Sequence, residues 1–194
     1  MNASPVAKTA ILFFIILGVI VASFSLALLH RDDGDNRVRF RLTSHTGESL
    51  SQDDLGGRHL LVFFGFTSCH QVCPTQMSKL TQVMMQLDQS GHGDQIRPVF
   101  ISVDPERDTP DKVSHFLTYF DDRFIGLTGS RTALENAANS FKTLLAELST
   151  DQTENYQITH SSVTYIVDPF SRVIDYVPSN ASPGAVAAKV REVL

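Results

Sequence analysis

The chain predicts an α/β domain built around one mixed sheet. Three observations carry that prediction: a buried-strand pattern at Leu60–Phe64 that runs into a cysteine-bearing turn, the strand–helix–strand order that follows, and a hairpin with a closing helix near the C-terminus. With 194 residues, 42% of them hydrophobic, the chain can form one domain with its own core plus an appendage.

The appendage comes first. Residues 10–29 are twenty residues without a charge, and as a helix rising about 1.5 Å per residue they would span a hydrocarbon core of about 30 Å. A single transmembrane helix is therefore expected after a short tail, 1–9. A signal peptide competes with it, because Ser25-Leu26-Ala27 resembles a small-x-small cleavage site, although such peptides usually carry a shorter apolar core. Residues 30–37 read as a polar linker around Gly34, and the folded domain is expected over 38–194.

Val38–Leu42 alternates apolar and basic residues, as a half-exposed strand does, and Gly47 turns the chain toward a short partner at Ser49 and Leu50. This is an N-terminal β-hairpin extension. Leu60–Phe64 is a buried strand, and Thr75–Gln89 is a helix with Met77, Leu80, Met84 and Leu87 on one face, stopped by Gly91-His92-Gly93. Ile96–Val103 is the next strand. Thr109 before Pro110 supplies a hydroxyl N-cap and a proline at the first position of a second helix. A short strand at Phe124–Thr128 and a helix from Arg131 to Leu145 follow. Ser161–Val167 and Arg172–Val177, joined through Asp168 and Pro169, form a hairpin, and Pro183 opens a last helix to Val193. A parallel βαβ half joined to an antiparallel ββα half, with helices on both faces, is the thioredoxin-like arrangement.

The only two cysteines are Cys69 and Cys73, where the first core strand hands over to its helix. Unpaired backbone N–H groups and the positive end of the helix dipole favour a thiolate there, and the thiolate is the form that binds metal or attacks a disulfide. Cys73 falls near the expected N-cap. Two sulfurs four positions apart can converge on one metal ion or close into a disulfide, and two small buried hydrophobes or a structural bridge are the plainer alternatives. Thioredoxin-like redox motifs have two residues between their cysteines and this chain has three, which leans toward metal and leaves redox work open. His160, just before a predicted strand, lies where a thioredoxin-like sheet brings a loop beside the cysteines. It is a candidate third ligand or an ordinary loop histidine.

The net charge of −5, with no basic stripe or block of like charge, argues against a nucleic-acid partner. Basic residues do not orient the anchor clearly. Lys8 precedes the span and Arg31, Arg37, Arg39 and Arg41 follow it, which on a bare count would keep the domain cytoplasmic, yet a translocated domain crosses largely regardless of charge.

Three ordered segments resemble the Sco/SenC family of copper chaperones. Gly65-Phe-Thr-Ser-Cys69-His-Gln-Val-Cys73-Pro74 looks like its cysteine loop, Ser102-Val-Asp104-Pro-Glu-Arg107-Asp108-Thr-Pro110 like its acidic loop, and His160-Ser-Ser-Val-Thr-Tyr165 with Asp168-Pro169 like its histidine segment. The resemblance covers roughly Val38 to Leu194. It implies a thioredoxin-like domain that binds copper, as Cu(I) or Cu(II), through Cys69, Cys73 and His160 and delivers it to the dinuclear copper site of cytochrome c oxidase subunit II. It further implies a copper-donor protein, a thiol reductant, and a bacterial inner membrane with the domain in the periplasm; the mitochondrial inner membrane is the second placement.

The residues support such a carrier independently. Soft thiolates select Cu(I) and imidazole accommodates Cu(II), whereas a structural zinc site usually has four protein ligands and a fourth is missing. One departure is His70, where many members have proline; it is either a solvated loop residue or a competing ligand. Asp104 and Asp108 either shape the turn before Thr109 or orient the site from behind, and Arg107 is a candidate docking contact. A thiol-disulfide oxidoreductase attacking through Cys69 and keeping the oxidase cysteines reduced is the second functional class. A peroxidase is a third, weakened by the lack of a Thr-x-x-Cys arrangement.

Overall fold

The computed structural model describes residues 36–143 and 163–194. Asn36–Leu194 forms one compact unit. The predicted span 10–29 lies outside the described residues, and among those described no helix is long and apolar enough to cross a membrane.

Seven strands make one sheet: β1 (Arg41–Ser44), β2 (Ser49–Ser51), β3 (His59–Gly65), β4 (Ile96–Ser102), β5 (Ile125–Thr128), β6 (Thr164–Val167) and β7 (Val173–Val177). Their order is β2-β1-β5-β4-β3-β6-β7. β3, β4 and β5 run parallel, while β6 pairs antiparallel with β3, and β1 with β5. The expected parallel βαβ half and antiparallel ββα half are both present, and the N-terminal hairpin extends the sheet beyond β5.

The helices are α1 (Val72–Gln89), α2 (Pro110–Leu117), α3 (Arg131–Ser140) and α4 (Pro183–Glu192). The steps from β3 to β4 and from β4 to β5 go the same way across the sheet, so right-handed crossovers put α1 and α2 on one face. Register sets Phe63, Phe100 and Gly126 side by side on that face. A Cβ on Gly126 would lie 2.3 Å from Val113 and 2.8 Å from Leu117, both on α2. The chain then reverses direction, and α3 leads to Phe141 on the opposite face, edge-on to Phe64 at 5.1 Å and to Tyr165 at 5.2 Å between ring centroids. α4 returns to pack on α1. Phe63, Phe64 and Phe100 are all but fully buried, each worth about 1.5–3 kcal/mol relative to exposure.

Several boundaries differ by a residue or more from the sequence expectation, and three bear on the site and its surroundings. β1 begins at Arg41, not Val38, because the Val38 N–H bonds Ser171 O at 2.7 Å and ties that segment to the β6–β7 turn. α1 begins at Val72, so Gln71 is the N-cap and Cys73 the second helical residue; Pro74 at the third position forfeits no bond, since the first four N–H groups of a helix lack intrahelical acceptors. α3 ends at Ser140, and Lys142 takes a left-handed φ of 53°. Thr109 does cap α2, its side chain accepting the Lys112 N–H, with Pro110 first in the helix.

Candidate metal and thiol site

The site grows out of the end of β3. Gly65 closes the strand, and a Cβ there would fall 2.9 Å from the Phe63 and Phe100 rings and 3.0 Å from Cys73 Sγ. Only glycine lets the strand pass under α1 this closely. Both cysteines are reduced: Cys73 is fully buried and Cys69 half-buried.

Cys69 Sγ does the work of a missing cap. The N-cap Gln71 makes no side-chain cap bond, and the Cys73 N–H donates to Cys69 Sγ at 3.4 Å. Burial pushes the Cys69 thiol up. The N–H groups of Cys73, Gln71 and Val72, together with the Cys73 thiol, more than offset it and hold Cys69 below the ordinary range. Cys73 goes the other way: burial, reinforced by the negative charge of Cys69 and Asp108, raises it strongly despite a hydrogen bond from the Phe66 backbone. The pair thus presents one accessible thiol of lowered pKa and, behind it, one that holds its proton.

The acidic loop braces this turn. The Asp108 carboxylate accepts the Thr67 N–H at 2.9 Å, the Thr67 hydroxyl at 2.6 Å and the Ser102 hydroxyl at 2.6 Å, while Thr128 Oγ1 donates to its backbone carbonyl at 2.8 Å. Burial raises Asp108 in spite of these donors. Asp104 makes the turn, its carbonyl accepting the Arg107 and Asp108 N–H groups, and its carboxylate pairs with Arg107. The Arg107 guanidinium lies 5.7 Å from the centroid of Phe66. Of the two roles weighed for the carboxylates, Asp104 fills the turn-forming one and Asp108 holds the cysteine loop.

His70 is exposed. His160 lies outside the described residues, and among those described no three His, Cys, Asp or Glu side chains converge as a metal cluster. β6 starts at Thr164, opposite Phe63 near the end of β3. The strand that follows His160 therefore opens at the cysteine end of the sheet. Gly65, Thr67 and Ser102 stand in the quoted cysteine and acidic loops, but the sequence reading assigned them no role there; a glycine ending a buried strand was the one available signal.

The SCO1/SenC family model matches residues 30–194. The chain is 34% identical over 151 residues to the human mitochondrial protein SCO1 homolog, covering 78% of this chain and 50% of the relative, so it spans half that protein's length. Among solved structures it resembles Bradyrhizobium japonicum ScoI with copper bound, with a TM-score of 0.71 and 29% identity over 81% of this chain and 99% of that one. It also resembles BsSco, a member of the Sco family of cytochrome c oxidase assembly proteins in which a disulfide switch was identified, with a TM-score of 0.64 and 26% identity over 80% of this chain and 92% of that one.

Proposed function

The chain belongs to the SCO1/SenC family, and on that premise we propose that it is a membrane-anchored copper-binding chaperone delivering copper to the dinuclear site of cytochrome c oxidase subunit II. Cys69, Cys73 and His160 hold the ion, and the apolar stretch 10–29 anchors the domain on the periplasmic side of the inner membrane. A copper donor and a thiol reductant are the remaining partners. The observation that carries this is the paired thiols at the β3–α1 junction. Backbone N–H groups ease ionisation of the Cys69 thiol, and two soft sulfurs are the donor set that prefers Cu(I). Copper-bound ScoI supports the cargo. His160 stands four residues before Thr164, within a chain reach of at most about 14 Å of the start of β6. Because Cys73 holds its proton, loading the ion releases one, and affinity rises with pH.

Anaerobic Cu(I) and Cu(II) titration of the reduced full chain tests this. One ion per chain is expected, with Cys69→Ala or Cys73→Ala abolishing tight binding and His160→Ala weakening Cu(II) more than Cu(I). Unchanged Cu(II) affinity and spectrum in the histidine variant would remove His160 from the ligand set and turn attention to His70.

One observation favours a second reading. The split acidity of the two thiols is the pattern of an attacking and a resolving cysteine, and BsSco carries a disulfide switch. A thiol-disulfide oxidoreductase that keeps the oxidase cysteines reduced would need both sulfurs and no histidine.

A further inference from the structure

We infer that the cleft between the first turns of α1 and the start of α4 is a docking seat for a carboxylate-bearing segment of the protein that exchanges copper or electrons with the thiols. The nature of that exchange rests on the proposed function, whereas the seat is tested without metal.

The cleft adjoins the cysteine loop. It is lined by Pro74, Thr75, Ser78, Lys79, Gln82 and Pro183 and has a volume of about 480 Å³. The start of α4 lies against α1, where a Cβ on Gly184 would stand 3.8 Å from Gln86 Oε1. Positions 72, 75, 79 and 82 form one stripe along α1, so Val72, 42% exposed, continues the stripe to the residue before Cys73. Lys79 follows Cys73 by six residues, about 9 Å along the helix axis, and helical side chains lean back toward the N-terminus, here the cysteine end.

Lys79 gives the cleft its chemistry. Its ammonium donates to Ser179 O and, at 3.2 Å, to Gln76 Oε1, while Gln76 Nε2 donates to the same carbonyl at 3.1 Å. Both acceptors are neutral, and an ammonium carries three hydrogens, so one N–H remains for a ligand. Among the described residues no carboxylate pairs with Lys79, and burial lowers it below the ordinary lysine range. The cation is partly stripped of water with no opposite charge in its place, and a carboxylate entering the cleft supplies one.

The surroundings have the same sign. Neither α1 nor α4 has an acidic residue in its first turn, so the positive ends of both helix dipoles stay uncompensated. The one carboxylate of α1, Asp88, lies at its far end and is held by Arg123, and that of α4 is Glu192, its last residue. Asp175, on the strand that leads to Ser179, is held by Lys189 at 2.8 Å, and Asp108 is engaged by Thr67 and Ser102. In a chain of net charge −5 this locally positive surface is complementary to an acidic segment.

The reduced, metal-free full chain, isotopically labelled and held in uncharged detergent micelles, is titrated with the peptide acetyl-Glu-Asp-Leu-Glu-amide and with its uncharged twin acetyl-Gln-Asn-Leu-Gln-amide, the amide signals of Thr75, Ser78 and Lys79 being followed by NMR. The acidic peptide should shift all three saturably, and the twin should not. Lys79→Gln should weaken binding about tenfold, because a hydrogen bond to a charged group is lost. Ser78→Asp leaves the Lys79 side chain in place and puts a carboxylate into the cleft, and it should weaken the peptide as much. Equal binding of the two peptides, or unchanged affinity in either variant, overturns the inference. So does acetate that displaces the peptide at equal carboxylate concentration, which would make the cleft a small-anion pocket. Peptide binding that appears only once Glu147, Asp151 and Glu154 are replaced by Gln also overturns it, since the chain's own acidic stretch would then be the occupant. A parent that takes the peptide but binds no copper overturns the proposed cargo and leaves the seat standing.

Discussion

The Asp108 carboxylate clasps Thr67 through both its backbone N–H and its hydroxyl, at 2.9 and 2.6 Å, and so fixes a loop that bears Cys69 only two residues later. The clasp crosses 41 positions of sequence and joins the acidic loop to the cysteine loop. Replacing Asp108 by Ala leaves Thr67 and the buried Ser102 hydroxyl without their acceptor, at a cost of about 1–3 kcal/mol. Urea unfolding of the variant should show that loss, and alkylation of Cys73 in the folded state should accelerate. A variant as stable as the parent, with Cys73 still protected, would mean that the clasp does not hold the loop.

Gly65→Ala tests the packing on the other side of the same loop. The new Cβ would meet two rigid rings and Cys73 Sγ at 3.0 Å or less, so α1 must lift or the rings must shift. Overpacking of this kind costs about 1–3 kcal/mol. The expected result is a lower urea midpoint with an unchanged slope, together with weaker copper binding. Normal stability and affinity would show that the cysteine loop accommodates the methyl group freely.

What the sequence made legible follows from which forces are local. Leu60–Phe64 is a continuous apolar run because β3 is covered on both faces, and Thr109-Pro110 marks a helix start within two residues; both could be read without tertiary knowledge. The onset of α1 could not. Cys73 was expected near the N-cap, but Val72 and Cys73 join the helix, with Cys69 Sγ taking the Cys73 N–H that a polar cap would otherwise hold. Val38 was read into the first strand from its alternation, whereas its N–H goes to Ser171, far away in sequence. The cysteine pair was identifiable from spacing alone. Its support by Asp108, Ser102 and Thr67 is a product of strand register and leaves no periodic trace.

The two thiols should titrate apart. Hydrogen bonds to Cys69 outweigh its burial, and burial dominates at Cys73. Iodoacetamide should therefore modify Cys69 first, with a rate midpoint below that of an unperturbed thiol, while Cys73 stays protected in the native protein at pH 9. Mass spectrometry of quenched samples assigns the site. Equal rates at the two residues would remove the asymmetry on which the attacking and resolving roles depend.

Acid should weaken the β6–β7 turn. Burial raises Asp168, but the Arg172 N–H and guanidinium and the Phe170 N–H more than offset it, and the folded-state value lies below the ordinary carboxylate range. A carboxylate depressed in this way contributes stability that is fully present above its unfolded value near 4 and is lost as pH falls through the folded value. Asp168→Asn should lower stability at pH 7, where the parent carries the full contribution, by about 1–2 kcal/mol, and the gap should close toward pH 2. A gap constant over that range would assign the loss to packing, not charge.

Direct copper delivery and thiol reduction separate in the cell. Both require Cys69 and Cys73, but only delivery requires a third ligand. In a strain lacking this protein and grown at limiting copper, the parent should restore oxidase activity while the Cys69→Ala, Cys73→Ala and His160→Ala variants should not, and added copper should partly bypass the defect because it replaces the cargo. A reductase predicts the opposite on both counts: His160→Ala keeps most of its function, and a small-molecule thiol rescues better than copper because it replaces the electrons. With all variants expressed at the parent level, that second pattern would transfer the assignment from copper carrier to thiol reductase, leaving the acidity split between Cys69 and Cys73 as the feature that performs the chemistry.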